Sequence, residues 1–203
     1  MTKLETREAL LQAATEVFAS KGYDGATVKD VAELAGVNVS LVSYHFDGKE
    51  NLYRECLSRF GTDRLEATQR ILQKPQSRED LRVRLRLFAE EFMQFHLRDP
   101  QVTKIIHREC TNDSPLIKDV FMNTFAKVFQ RVEAFLNEGA AAGLIHRGIQ
   151  THYLAMAYIG TLVHATRMDG MHEEIFGTSL KDASHREAII QTLETLLMEG
   201  TKL

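Results

Sequence analysis

Residues 27–46 read Thr27-Val28-Lys29-Asp30-Val31-Ala32-Glu33-Leu34-Ala35-Gly36-Val37-Asn38-Val39-Ser40-Leu41-Val42-Ser43-Tyr44-His45-Phe46. Thr27 stands three residues before Asp30, the spacing at which a side-chain cap and a reciprocal acid satisfy the first amides of a helix. Val28, Val31, Ala32 and Ala35 supply one apolar face of that helix. Gly36 stops it where the chain must reverse and a side chain would clash. Asn38 is placed to cap a further helix covering about Val39 to His45. Ala32 is small where the two helices approach, and Val42 is apolar where the second packs back on the first. Together these are the steric requirements of a helix-turn-helix. The second helix keeps an outer face of Val39, Ser40, Ser43 and Tyr44, groups suited in size and chemistry to a DNA major groove.

Upstream, Leu10, Leu11, Ala14, Val17 and Phe18 recur at helical spacing, and Gly22 is placed to end that helix in a left-handed cap. Downstream, Asp47 and Glu50 repeat the capping pattern and open a long helix through about Leu72. Lys74-Pro75-Gln76-Ser77 breaks the chain. A helix then starts at Ser77 and Asp80 and ends at Asp99-Pro100, with Leu81, Leu85, Phe88, Phe92 and Phe95 on one side. A shorter helix spans about Gln101 to Cys110. Ser114 and Pro115 are a cap and a first helical residue, opening a helix expected to run to Ala142 before Gly143. Another covers about Thr151 to Met168. Residues 169–183 read as a loop. Ser184 and Glu187 form one more capping pair for a last helix bearing Ile189, Ile190, Leu193, Leu196 and Leu197. Some nine helices without strand alternation predict an all-α fold, a three-helix N-terminal module followed by a helical bundle. The expected division is 1–48 and 49–203, with 49–72 as connector.

The chain has 203 residues, 44% hydrophobic, with 12 Gly and 3 Pro, ordinary for a globular domain. No apolar run approaches the ~20 residues of a membrane span, and no signal-peptide core follows the polar start, so a cytoplasmic protein is expected. Cys56 and Cys110 are far apart and lack a Cys-x-x-Cys partner, which argues for reduced thiols and against a disulfide or zinc scaffold. The net charge is −3, and residues 1–50 hold five basic against eight acidic side chains. Attraction to DNA must therefore come from local placement, with Lys29 and Lys49 as candidates and Arg54, Arg59 and Arg64 adding potential.

The residues that carry a family likeness are now in view. Thr27 through Val37 resembles the second helix and turn of the TetR family of transcriptional regulators. Tyr44-His45-Phe46-Asp47-Gly48-Lys49-Glu50-Asn51-Leu52 resembles the end of that family's recognition helix and the stretch after it. Phe18, Gly22 and Tyr23 fit the same spacing. One departure is Ser43, where members commonly carry a tyrosine; Tyr44 is positioned to take over its phosphate contact. The resemblance implies that Thr27 and Lys29 meet phosphate or the groove edge, that Val39, Ser40, Leu41, Ser43 and Tyr44 face bases, and that His45 and Lys49 bind phosphate. Thr27 is also fully explained as a cap. Lys49 stands at a helix start, where the dipole prefers anions, so an external anion is its expected partner.

A single short recognition helix meets few base pairs, so a homodimer with reading heads about 34–36 Å apart on a palindromic operator is expected. Met156, Ile159, Gly160 and Val163 on the penultimate helix, with Ile189, Leu193, Leu196 and Leu197 on the last, are the expected interface. The resemblance also implies a small-molecule effector in a cavity among the central helices. Phe88, Phe92, His96, His107, Cys110, Met122 and Phe125 are its candidate lining, with Arg108 as a further polar group. Release of a repressor from its operator is the implied function, with no metal and no cofactor. Two other readings stand beside it. One is the same fold acting on DNA without an effector. The other is a helical enzyme, against which stand scattered histidines, no phosphate loop and no nucleophile elbow.

Overall fold

A computed structural model describes residues 2–112, 115–146 and 148–200. Among them are eleven α-helices and one 3-10 turn. The helices are α1 (Lys3–Gly25), α2 (Val28–Leu34), α3 (Ser40–Phe46), α4 (Lys49–Ile71), α5 (Arg78–Arg98) and α6 (Pro100–Asn112). After the 3-10 turn Pro115–Ile117 come α7 (Lys118–Asn123), α8 (Phe125–Ala141), α9 (Thr151–Arg167), α10 (Asp169–Phe176) and α11 (Ala183–Gly200). The expected Ser114 cap lies outside the described residues.

Packing groups the helices into two compact units. The first comprises the chain up to Asp63 together with Asp99–Thr124, and the second Arg64–Arg98 with Phe125 onward. The boundary falls inside α4, so one continuous helix belongs to both. In the first unit Leu10, Phe18, Val42, Leu52, Tyr53 and Ile105 are 0–1% exposed and form the core. Each side chain of that kind stabilises by roughly 1.5–3 kcal/mol through burial. In the second unit the core gathers Leu81, Met93, Val132, Phe135, Leu136 and Leu162, all at 0%.

Three elements depart from the sequence expectation. The helix expected to run unbroken to Ala142 is interrupted at Thr124, whose backbone is non-helical (φ −125°, ψ −78°). Thr124 is buried, its hydroxyl donates to the Val120 carbonyl at 2.6 Å, and it lies against Gly61. A Cβ on Gly61 would come within 2.5 Å of its Oγ1, so only glycine fits on α4 there. The expected loop 169–183 holds α10, closed by Gly177 in the left-handed region. Asp169 folds the segment back, its carboxylate accepting from the Leu180 amide at 2.6 Å and from Ser179 Oγ at 3.4 Å. Two expected capping pairs do not form. Asp47 takes a left-handed conformation (φ 57°) as the C-cap of α3, and Glu187 pairs with Arg86 instead of the start of α11. Gly22 does interrupt α1, with positive φ (77°), but at ψ 173°, outside the helical cap geometry; one more turn follows it.

Candidate nucleic-acid interface

The turn between α2 and α3 is built by local hydrogen bonds. Thr27 Oγ1 accepts from the Asp30 amide at 3.1 Å, and Asp30 Oδ2 accepts from the Thr27 amide at 2.9 Å. At the other end of α2, the Val37 amide donates to the Ala32 carbonyl at 3.0 Å and the Gly36 amide to Glu33 at 3.1 Å. That pair is a Schellman motif, and it demands a positive φ, here 66° at Gly36. Asn38 Oδ1 then accepts from the Ser40 amide at 2.9 Å and its hydroxyl at 2.8 Å. These bonds fix both ends of α2 and the entry into α3.

Helix α3 presents two faces. Val42 (0% exposed) and Phe46 (4%) enter the core. Val39 (45%) and Tyr44 (65%) face solvent, Ser40 and Ser43 are exposed, and Leu41 and His45 are half-buried. The outward set is the one the sequence selects, held on one side of a rigid two-turn helix.

The cations are disposed otherwise than expected. Lys49 Nζ lies 4.4 Å from the Tyr23 ring centre and 3.5 Å from the Asp24 carbonyl, so the module itself supplies its partners. Arg54 is bound to Asp119 and to the Leu116 carbonyl, and Arg59 to Glu8. Arg7 stacks over Phe46 and pairs with Glu55. Lys21 pairs with Asp30 at 2.9 Å. That ammonium, with the hydroxyl and amide of Thr27, holds the Asp30 carboxyl down to about 2. Thr27 is thus committed to its cap, while Lys29 stays exposed. Lys3, which the sequence reading missed, lies 5.1 Å from the Tyr44 ring centre. Nothing in the sequence marks it, because its partner is on another helix.

The rings of Phe18, Tyr23 and Tyr53 cluster, Tyr53 lying edge-on to Phe18 at 4.7 Å and tilted to Tyr23 at 5.0 Å. Arg108 of α6 donates to the Phe18 carbonyl at 2.9 Å and faces buried Glu109. It therefore secures the end of α1, where the sequence suggested a ligand contact. Burial and Glu109 together raise the Tyr53 phenol far above its ordinary range.

The candidate effector residues are divided between the two units. Phe88 and Phe92 are buried in the second unit, where His96 and Phe125 are half-buried. His107, Cys110 and Met122 belong to the first unit, and Cys110 and Met122 are exposed there. Within the second unit, Arg64 is 8% exposed, its guanidinium 3.7 Å from the Phe92 ring centre, and burial pulls it down to about 9. It lines a narrow groove of about 10 Å³ with Thr68, Phe88 and Phe95. His96 Nδ1 is buried without a hydrogen-bond partner, and burial lowers its pKa. An arginine on an amphipathic helix ordinarily reads as solvated, so Arg64 carried no signal of this in the sequence.

Of the expected dimer residues, Met156, Gly160, Val163 and Leu196 are exposed and Ile159 and Ile189 half-buried. Leu193 (8%) and Leu197 (5%) turn inward to the core of their own unit, which removes them from the outward set. Among the described residues no helix is long and apolar enough to cross a membrane.

A cap-and-glycine turn that presents a short helix with a polar and aromatic outer face, on an otherwise helical chain, defines a helix-turn-helix DNA-binding regulator. Residues 10–56 match the family described as bacterial regulatory proteins, tetR family, and residues 79–167 match the tetracyclin repressor-like C-terminal domain. The HTH-type transcriptional activator FasR of Mycolicibacterium smegmatis is 30% identical over 158 residues, covering 77% of this chain and 67% of the relative. The Bacillus subtilis regulator YttP is 27% identical over 139 residues, covering 68% of this chain and 66% of that protein. The fold is shared with Bacillus subtilis FadR, a transcriptional regulator solved with stearoyl-CoA. That match has a TM-score of 0.76 at 17% identity and covers 96% of this chain and 99% of FadR. The chain belongs to the TetR family and is a DNA-binding transcriptional regulator.

Proposed function

We propose that this regulator binds a palindromic operator as a homodimer and represses transcription until a small molecule releases it. The observation that carries the DNA-reading part is the outer face of α3. Val39, Ser40, Ser43 and Tyr44 all face solvent there, at a helix whose entry is fixed by the Asn38–Ser40 hydrogen bonds. Val39 and Leu41 offer methyl groups to thymine, and Ser40 and Ser43 offer hydroxyls that pair with any base edge. His45 and Lys29 meet phosphate; Lys49 joins them by leaving the Tyr23 ring. In this reading residues 1–48 read DNA, 49–203 dimerise and sense, and the protein acts in the cytoplasm without catalysing a reaction.

The exposed side chains of Met156, Val163 and Leu196, with Gly160 leaving open space beside them, support dimerisation through α9 and α11. Helix α4 contributes residues to both units and is the connector of this reading. An effector moves this equilibrium only by binding the two states with different affinity. FadR was solved with an acyl-CoA, and the buried Arg64, His96 and phenylalanines of the second unit suit a ligand with an apolar body and a polar head.

A second reading, a regulator of the same fold without a small-molecule effector, draws on the small free volume beside the candidate effector residues of the second unit; the first unit holds a cleft of about 550 Å³ lined by Arg7, Arg54, Arg59 and Asp119. The grooves beside Arg64 and beside Tyr158 each hold about 10 Å³, space for a single water. Selection of bound duplexes from a random pool tests the main proposal. A two-fold symmetric consensus is the expected result; a featureless pool would overturn it. Melting the protein against a set of acyl and aromatic acids separates the two readings, since a ligand of the native state raises Tm with concentration.

A further inference from the structure

Residues 1–50 carry only five cations to hold a polyanion, and the structure accounts for three of them internally. Arg7 is turned to Phe46 and Glu55, Lys21 to Asp30, and Lys49 to Tyr23 and the Asp24 carbonyl. Lys3 and Lys29 form no ion pair among the described residues. Of these two, Lys3 is the one placed on the recognition helix. Its ammonium lies 5.1 Å from the ring centre of Tyr44, and both side chains are exposed. The backbone beneath Lys3 is fixed as well: the Thr2 hydroxyl accepts from the Glu5 amide at 3.2 Å and Glu5 Oε2 accepts from the Thr2 amide at 2.7 Å. The first turn of α1 is thus a capped mount, and the lysine on it is parked over a ring on the DNA-reading face.

We infer that Lys3 is a phosphate-binding residue of the DNA interface, and that Tyr44 holds it in place until DNA arrives. The inference rests on the proposed DNA-reading role of α3 and extends it to a residue outside the helix-turn-helix. An exposed ammonium over a tyrosine ring is weakly held, so it exchanges readily onto a phosphate oxygen while the ring keeps the aliphatic stem oriented. A lysine acting on the backbone fixes register and adds affinity without reading sequence. This supplies charge that the acidic balance of residues 1–50 otherwise denies the interface.

The test is fluorescence anisotropy of two labelled duplexes, one with the selected consensus and one scrambled, titrated at several salt concentrations. Lys3→Ala is expected to lower the slope of log K against log salt by ~1.8, equally on both duplexes, because the dimer makes two phosphate contacts fewer, one per protomer, and releases two counterions fewer. Lys3→Arg keeps the slope, because the cation is retained. Lys3→Gln repeats the Ala test while preserving the aliphatic stem, and circular dichroism melts matching the parent show that any change in slope is not unfolding. An unchanged slope in Lys3→Ala, or a loss confined to the consensus duplex, overturns the assignment and leaves DNA reading standing. Failure of the unsubstituted protein to bind either duplex at low salt overturns both.

Discussion

Helices α3 and α10 are of similar length, seven and eight residues, and both carry apolar side chains into solvent, yet they are held in opposite ways. Helix α3 is anchored from beneath by Val42 and Phe46, and its exposed side chains are surplus to that anchoring. Helix α10 buries no residue at all, and Met171, Ile175 and Phe176 are 51–67% exposed. It is held at its ends, by the Asp169 carboxylate gripping residues 179 and 180 and by the left-handed turn at Gly177. A short helix is marginal in isolation, so one of the two supports must be present; a reading head that has to bear load against DNA has the deeper one.

Substitutions separate the two kinds of support. The largest effect is expected from Phe46→Ala, about 3–5 kcal/mol of stability by cavity formation, read by urea unfolding of the purified protein. A loss under 1 kcal/mol would mean that α3 is not core-anchored. Next comes Asp169→Ala, which removes a carboxylate from two hydrogen bonds and is expected to cost about 1.5–3 kcal/mol. Hydrogen exchange should show the Leu180 amide losing protection, and unchanged exchange would break the comparison. Thr27→Ala removes the cap of α2 at about 0.5–2 kcal/mol, a lowering visible in a thermal melt.

Acid supplies a smaller effect with a defined sign. The folded Asp30 carboxyl is depressed to about 2, below its unfolded value of roughly 4. Its contribution is therefore complete above pH ~4 and is lost as pH falls through about 2. Lys21→Ala should raise the Asp30 midpoint followed by NMR, and a midpoint that stays in place would assign the depression to Thr27 alone. The smallest effect belongs to Phe176→Ser, expected within ±0.5 kcal/mol because the ring is already in water. A larger loss would show that α10 is packed after all.

The same contrast explains what was legible. The turn at 27–46 is written in neighbours: Thr27 with Asp30, Gly36 with the Glu33 carbonyl, Asn38 with Ser40. Short-range chemistry of that kind survives in a one-dimensional reading, and the outward face of α3 came with it. Thr124 breaks its helix because it packs on Gly61, and α10 exists because Asp169 reaches Leu180; neither pairing leaves a local trace. Lys49 shows the same limit: its place at a helix start points to an external anion, and nothing local announces that Tyr23 and the Asp24 carbonyl lie beside it. Leu193 and Leu197 form an apolar stripe with Ile189 and Ile190, and a stripe marks a buried face without naming what buries it.

The burial of Cys56 has a practical corollary. Enclosed on α4 with its Sγ 3.8 Å from the Leu11 carbonyl, this thiol is pushed up to about 12, so at neutral pH almost none of it is thiolate and electrophiles pass it by. Cys110 is exposed on α6. A maleimide dye offered to the native protein will therefore mark α6 alone, giving a one-site optical reporter without any engineered cysteine.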